Sequence, residues 1–241
     1  MLLKTHGIIL KTLKYSETSL IVDVYTREKG LKKYIVSGVR TSRAKMHANL
    51  FQVMSILELV VYDRPDRDLH RLKEAQSAFI YQRIPFEITR SAIGMFIIEV
   101  TRKTIQESES NPELFDLLSE YILFLDRSNT PLANVHLLFL IHLSAYLGIM
   151  PALDYETTHP FFDLQEGIFL REVPAHGHYM NQDASSIFHH LLESSLETVH
   201  QVSMSAPQRA MILNNLLDYY RLHLDNFPTI HAHVILKEVL S

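Results

Sequence analysis

The apolar pattern of this chain changes period once, near Arg83, and that change restricts the fold more than any other feature of the sequence. Before Arg83 the pattern alternates: Leu20, Val22 and Val24 share one face of a segment, and Val53, Leu57, Leu59 and Val61 share one face of another. Five short, β-branched segments obey this rule, over residues 7–15, 19–26, 31–39, 51–62 and 70–80. Their connections carry turn chemistry at Ser16-Glu17, Glu28-Lys29-Gly30 and Asp63-Arg64-Pro65-Asp66. From Pro85 onward apolar residues recur at intervals of three and four, as in Leu114, Leu117, Leu118, Tyr121 and Leu125, or Leu213, Leu217, Tyr220 and Leu224. Asn111-Pro112, Thr130-Pro131, Asp183 and Ser205-Ala206-Pro207 are start signals, so helices are predicted over 87–106, 112–127, 131–148, 184–195, 206–225 and 231–240. The exception is FFDLQEGIFLR, residues 161–171, where two apolar arms flank Gln165-Glu166-Gly167 and predict a β-hairpin.

Five short strands in about eighty residues predict a small closed barrel, and the five-stranded barrel most often given to single-stranded nucleic acid is the OB-fold. The expected class is therefore a multidomain α+β chain. It has an OB-fold barrel over 1–82 and an all-helical domain over 83–241, with the hairpin inserted near 161–171.

Charge follows the same division. Up to Arg83 there are fifteen Lys/Arg against eight Asp/Glu, net +7, and from Ile84 eight against nineteen, net -11. The positive charge concentrates in REKGLKKYIVSGVRTSRAK, where Arg27, Lys29, Lys32, Lys33, Arg40, Arg43 and Lys45 face one anion, Glu28. Gly30 and Gly38 bracket a β-like segment there, so the cations are expected on a strand and its two turns, as a rigid basic surface suited to a phosphate backbone. Tyr15, Tyr25, Tyr34, Phe51 and Tyr62 are candidate base-stacking aromatics. Most belong to the barrel core on composition alone, and Tyr34, beside Lys32 and Lys33, is the expected stacker.

Other chemistries find little support. The chain has no Cys, which removes disulfides, thiolate metal ligands and Cys nucleophiles and fits a reducing compartment. It contains 7 Gly and neither GxxxxGK[ST] nor GxGxxG, so no nucleotide-driven motor or dinucleotide site is expected. His136, His142, His189, His190, His231 and His233 have no His-Glu-x-x-His spacing and no strained Ser elbow beside them. A hydrolase using histidine-bound metal remains the enzyme alternative, and an RNA-binding or general nucleic-acid-binding OB protein the binding alternative. The amino end, MLLKTHGIILK, is interrupted by Lys4, His6 and Lys11, and the most apolar stretch, 137–150, is broken by His142 and falls short of the ~18 residues of a membrane span. A soluble cytoplasmic protein is expected, with no membrane partner.

The run GIILKTLKYSETSLIVDVYTREKGLKKYIVSGVR, then LFQVMSILELVVY and LHRLKEAQ, resembles the amino-terminal domain of the RecO family of bacterial recombination mediators. Tyr146-Leu147-Gly148-Ile149-Met150-Pro151, FFDLQEGIF and YYRLHLDNFPTIHAHVILKEVL resemble that family's leucine-glycine-x-x-proline turn, hairpin and closing helices. The resemblance implies a non-enzymatic protein of DNA repair, associated with the nucleoid. Such a protein binds single-stranded and duplex DNA, anneals complementary strands, and acts with RecR and single-stranded-DNA-binding protein to let RecA load. Its DNA face would fall on the seven cations named above, with Arg71 and Lys73 as neighbours. The acidic tail of single-stranded-DNA-binding protein would be gripped by the helical domain, and Arg102 and Lys103, over a floor of Phe96, Val100 and Phe139, are the expected site.

Many members of that family hold a structural zinc with four cysteines after the leucine-glycine turn. Here residues 154–179 have none, and offer His159, His176 and His178 with Asp154, Glu156 and Asp163. No metal and no cofactor is expected, and Phe161, Phe162, Ile168 and Phe169 of the hairpin are expected to pack as an apolar plug instead.

Overall fold

The computed structural model describes residues 2–39, 46–62, 67–105 and 110–240. They form two compact units, Met1–Phe86 with Ile98–Arg127, and Glu87–Ile97 with Ser128–Ser241.

In the first unit β1 (Leu2–Lys14), β2 (Leu20–Thr26), β3 (Gly30–Val36), β4 (Ile56–Tyr62) and β5 (Leu69–Ser77) close a barrel in the order β1-β2-β3-β5-β4. All pairings are antiparallel except that of β3 with β5. This is the expected OB-like architecture. β1 is longer than its alternation suggested because it serves two partners: Leu2 to Ile8 pair with β4, and Gly7 to Lys14 pair with β2 across a bulge between Ile9 and Lys11. Gly7 lies where the barrel leaves no room for a side chain, since a Cβ there would meet Val24 Cγ1 at 2.5 Å and Leu59 Cδ1 at 2.7 Å. The inward positions Ile9, Val22, Val24, Val36, Leu57, Leu59, Val61 and Leu72 fill the interior. β4 starts at Ile56 rather than at Phe51: Ala48–Phe51 forms a 3-10 turn, and Met54 has φ 75°, so the chain turns sharply before the strand begins.

The same unit contains α2 (Pro112–Arg127) and the end of α1 (Ile88–Thr104), which the two units divide at Ile97 and Ile98. Asn111 caps α2 as expected, its Oδ1 accepting from the Leu114 N–H at 3.0 Å. Near the other end of α2, the buried Asp126 carboxylate accepts from the backbone N–H groups of Gln82, Arg83 and Ile84 at 2.9–3.1 Å. It thereby ties down the segment that leaves the barrel.

The second unit is built around α3 (Val135–Tyr146), whose residues 137–141 are all nearly inaccessible, as expected of a helix that is apolar on every side. α3 starts four residues after Thr130-Pro131. Asn134 does not cap it with its side chain; its amide donates to the carbonyls of Val199 and Val202 and its Oδ1 accepts from Arg209. α4 (Gln182–Leu192) is capped by Asn181 rather than Asp183, and α5 (Ala206–His223) opens with a capping box of Ser205 and Gln208. α6 (Ala232–Val239) is the last element among the described residues.

The expected hairpin is present as β6 (Phe161–Asp163) and β7 (Ile168–Leu170), and β8 (Tyr179–Met180) adds a third strand on the other side of β6. Phe162 and Phe169 are buried against Phe188, with centroids 4.7 to 6.4 Å apart. Phe161 is half-buried and Ile168 exposed, so the apolar plug uses one residue of each arm.

Candidate nucleic-acid interface

β3 sorts the expected cations by the alternation of its side chains. Tyr34 and Val36 face inward, so Lys33 and Ile35 face outward, and Lys33 is exposed. Lys32 has the inward parity of Tyr34 and is half-buried opposite Val24. Lys29 is half-buried in the β2–β3 turn.

Arg27 is engaged within the first unit. Its Nε and Nη2 donate to the two oxygens of Asp116 on α2 at 3.0 and 2.9 Å, a bidentate pair that holds the Asp116 carboxyl below the usual carboxylate range. Close by, the Ser110 hydroxyl donates to the Arg27 carbonyl at 3.0 Å and the Tyr25 hydroxyl to the Asn111 carbonyl at 3.4 Å. Tyr25 has outward parity yet is buried, and burial pushes its hydroxyl up to about 12. The outer face of β2 near Tyr25 is therefore closed to a ligand by the chain around the start of α2. Arg40, Arg43 and Lys45 lie outside the described residues.

The open outer face is the one carried by β3, β5 and β4. The strand registers place Leu2, Tyr62, Arg71 and Ile35 side by side across four strands, with Leu69 beside Lys33 one row away. Arg71 and Lys73 are exposed, Lys73 at a bulge in β5 and paired with its neighbour Glu74 at 3.3 Å. A groove of roughly 600 Å³ runs along this face, lined by Ile35, Tyr62, Arg67, Leu69, Arg71 and Lys73 among others, with no Asp or Glu among the described residues of its lining. Asp23 stands opposite Lys33 at its margin. The groove joins cations to exposed apolar and aromatic surface, the combination that holds a phosphate chain and its bases. A second groove beyond Lys73, by contrast, is lined by Glu28, Glu58 and Glu74 as well as Lys4 and Lys73.

Tyr34 does not stand on this surface. It is 2 % exposed, opposite Val22 and His70 inside the barrel with its ring 5.7 Å from that of His70, and so cannot offer a face to a base. Lys32 and Lys33 just before it in the sequence suggested exposure; its parity with Val36 puts it in the core. Tyr62, a candidate passed over in favour of Tyr34, follows the inward Val61 and faces outward at 38 % exposure. Arg67 was missed, because it lies just before β5, outside any strand, with no periodicity to place it.

The pair expected to receive an acidic tail is not presented in that form. Lys103 Nζ is 2.6 Å from Glu99 Oε1, both side chains being about 15 % exposed, and Phe96, Val100 and Phe139 are all fully buried, leaving no accessible floor. In the second unit, a groove of roughly 960 Å³ between α5 and α6 is apolar, with Met211, Leu213, Val234 and Leu236 in its lining, carries Arg209 and Lys237, and has no acidic residue among the described residues of its lining.

The residues in place of the zinc cysteines do not fit a metal. His176 Nε2 lies 3.2 Å from Asp163 Oδ2, and His159 Nδ1 3.3 Å from Glu156 Oε2, as separate pairs. Among the described residues no three His, Cys, Asp or Glu side chains are grouped to hold an ion, and no helix is long and apolar enough to cross a membrane.

Two family descriptions match the chain, Recombination protein O N terminal over residues 1–81 and Recombination protein O C terminal over 85–229. The chain is 36% identical to the DNA repair protein RecO of Phocaeicola vulgatus over 241 residues and 37% identical to that of Bacteroides fragilis over 242. With the RecO of Flavobacterium psychrophilum the identity is 32%, and in all three comparisons both chains are covered completely. A closed OB-like barrel with a basic outer groove, a helical remainder and full-length identity of this degree place the chain in the RecO family of DNA repair proteins.

Proposed function

We propose that this protein is a recombination mediator that binds single-stranded and duplex DNA through the β3–β5–β4 face of its barrel, anneals complementary strands, and with RecR and single-stranded-DNA-binding protein assists the loading of RecA, without catalysing a reaction itself. The observation that carries the reading is the groove of Arg67, Arg71 and Lys73, with no acid among the described residues of its lining, on the barrel of a RecO-family chain whose overall charge is -4. A net negative protein gains little from general attraction to phosphate, so affinity must come from a local concentration of cations. Lys33 extends that set by one row, and Lys29 and Lys32 stand at the barrel end beside it. Arg40, Arg43 and Lys45, outside the described residues, stay in the proposed DNA-binding set on charge alone. For the acidic tail of single-stranded-DNA-binding protein, the α5–α6 groove supplies the accessible apolar floor that is missing beside Arg102 and Lys103, with Lys237 as its cation.

The test is binding to single-stranded DNA, duplex DNA and RNA of one length across a salt series. Replacing Lys33, Arg67 and Arg71 by Ala should weaken DNA binding for all sequences alike and flatten the salt dependence by about one unit of slope per lost phosphate contact. Arg27→Ala should leave affinity within about twofold, because its guanidinium is already paired with Asp116. Unchanged affinity in a folded triple variant would move the DNA site elsewhere, and tighter binding of RNA than of DNA would favour the RNA reading.

A further inference from the structure

We infer that the β3–β5–β4 groove is a base-stacking platform and that Tyr62 is the residue by which it distinguishes an unpaired base from a duplex. The inference rests on the DNA-binding reading above and adds to it a ligand geometry and a residue.

Tyr62 closes β4 on the outside of the barrel, in register with Leu2 on one side and Arg71 on the other. Directly opposed side chains on one face of a sheet stand about 5 Å apart, close enough for a guanidinium and an aromatic ring to bracket one planar group. Leu2, Leu69 and Tyr62 are all more than a third exposed, an uncommon amount of apolar surface for the outside of a small barrel. Ile35, half-buried beside Arg71, continues that surface toward β3. This apolar strip is rimmed by Arg67, Arg71 and Lys73, and the described residues of the groove lining include no carboxylate.

The charge selects the occupant. An apolar protein segment would gain little from Arg67 and Arg71 standing beside it, whereas a single strand carries both parts of the match, a phosphate on every nucleotide and an apolar base face next to it. A duplex supplies the phosphates but hides its base faces in the stack, so it can use the cations and not the ring. Tyr15, 61 % exposed in the β1–β2 turn, has greater exposure but no such setting: its one cationic neighbour in the sequence, Lys14, is offset by Glu17 two residues after it. Exposure together with placement in the cationic groove singles out Tyr62.

The chain contains no Trp, so Tyr62→Trp introduces one fluorophore at the site. Emission should be quenched on adding a single-stranded oligonucleotide, and less so on adding the same length of duplex or an abasic strand. In parallel, Tyr62→Ala should weaken single-strand binding about tenfold while duplex binding stays within about twofold, and Tyr62→Phe should restore single-strand affinity, since a ring and not a hydroxyl is required. If Tyr62→Ala protein lost single-strand and duplex affinity equally, or if emission of Tyr62→Trp protein ignored single strands that it demonstrably binds, the platform would be wrong while DNA binding stood. Wild-type protein that bound no DNA at all would overturn both readings.

Discussion

Asp126 offers the sharpest test of how the chain is anchored where it leaves the barrel. The carboxylate is 2 % exposed and serves three consecutive backbone donors: Oδ1 accepts from Gln82, Arg83 and Ile84 at 3.1, 2.9 and 3.0 Å, and Oδ2 from Gln82 at 3.0 Å. Asp126→Ala removes every acceptor at once. Ile84 is buried, so its N–H bears the full cost of an unmet donor, about 1–3 kcal/mol; Gln82 is exposed and Arg83 half-exposed, so water recovers part of theirs. The total should be about 3 kcal/mol, and exchange of the Ile84 amide should accelerate by about two orders of magnitude. Asp126→Asn keeps one oxygen but turns an amide N–H toward Gln82 or toward all three donors, and should cost about half as much. Urea unfolding followed by circular dichroism, with amide exchange read residue by residue, measures both quantities. A loss below about 1 kcal/mol in the Ala protein, or equal losses in the two variants, would show that the segment after the barrel is held by its apolar contacts and not by this carboxylate.

His136 is fully buried against Phe96, with ring centroids 5.8 Å apart, and burial, aided by the positive charge of Arg209, lowers its pKa to about 3. The unfolded chain takes up this proton near pH 6.5 and the folded chain only near 3, so stability should fall as pH drops through that window, by at most roughly 4–5 kcal/mol from this group. His136→Gln protein should lose stability less steeply over the same range in pH-dependent urea titrations, and identical slopes would remove His136 from the account. An acidic peptide with an apolar carboxyl end should bind wild-type protein at least about tenfold more tightly than Lys237→Glu protein and equally to Arg102→Ala/Lys103→Ala protein, measured by fluorescence anisotropy; the reverse order would return the tail to α1.

The barrel was legible because its strands are half-buried, and half-burial writes itself into sequence as alternation: Leu20, Val22 and Val24 point inward as their spacing demands. What local pattern could not show was decided by partners far along the chain. β1 begins at Leu2 because β4 pairs with it there. Asn134, at the start of α3, is spent on Val199, Val202 and Arg209. Two-residue β8 has no period to read, and exists because β6 has an edge to offer.

The interface was less legible than the fold for a related reason. A cation count along a stretch measures charge per residue, whereas a ligand meets charge per face, and one strand divides its residues between two faces. Lys32 and Lys33 are neighbours in sequence and opposed in space, while Lys33 and Arg71 are 38 residues apart and occupy adjoining rows of one surface. The same parity rule that found the core was sufficient to exclude Tyr34 and to select Tyr62, since Val36 and Val61 already fixed which side of each strand is inside. Parity could not reveal that Arg27 is taken by Asp116, for that pairing spans 89 residues and joins elements of different period. Among the described residues, the cations that remain on the open face are thus those of β3 and β5 with Arg67 just before β5; the barrel's parallel β3–β5 pairing brings the two strands together, and a DNA site there depends on barrel closure in a way that a basic loop would not.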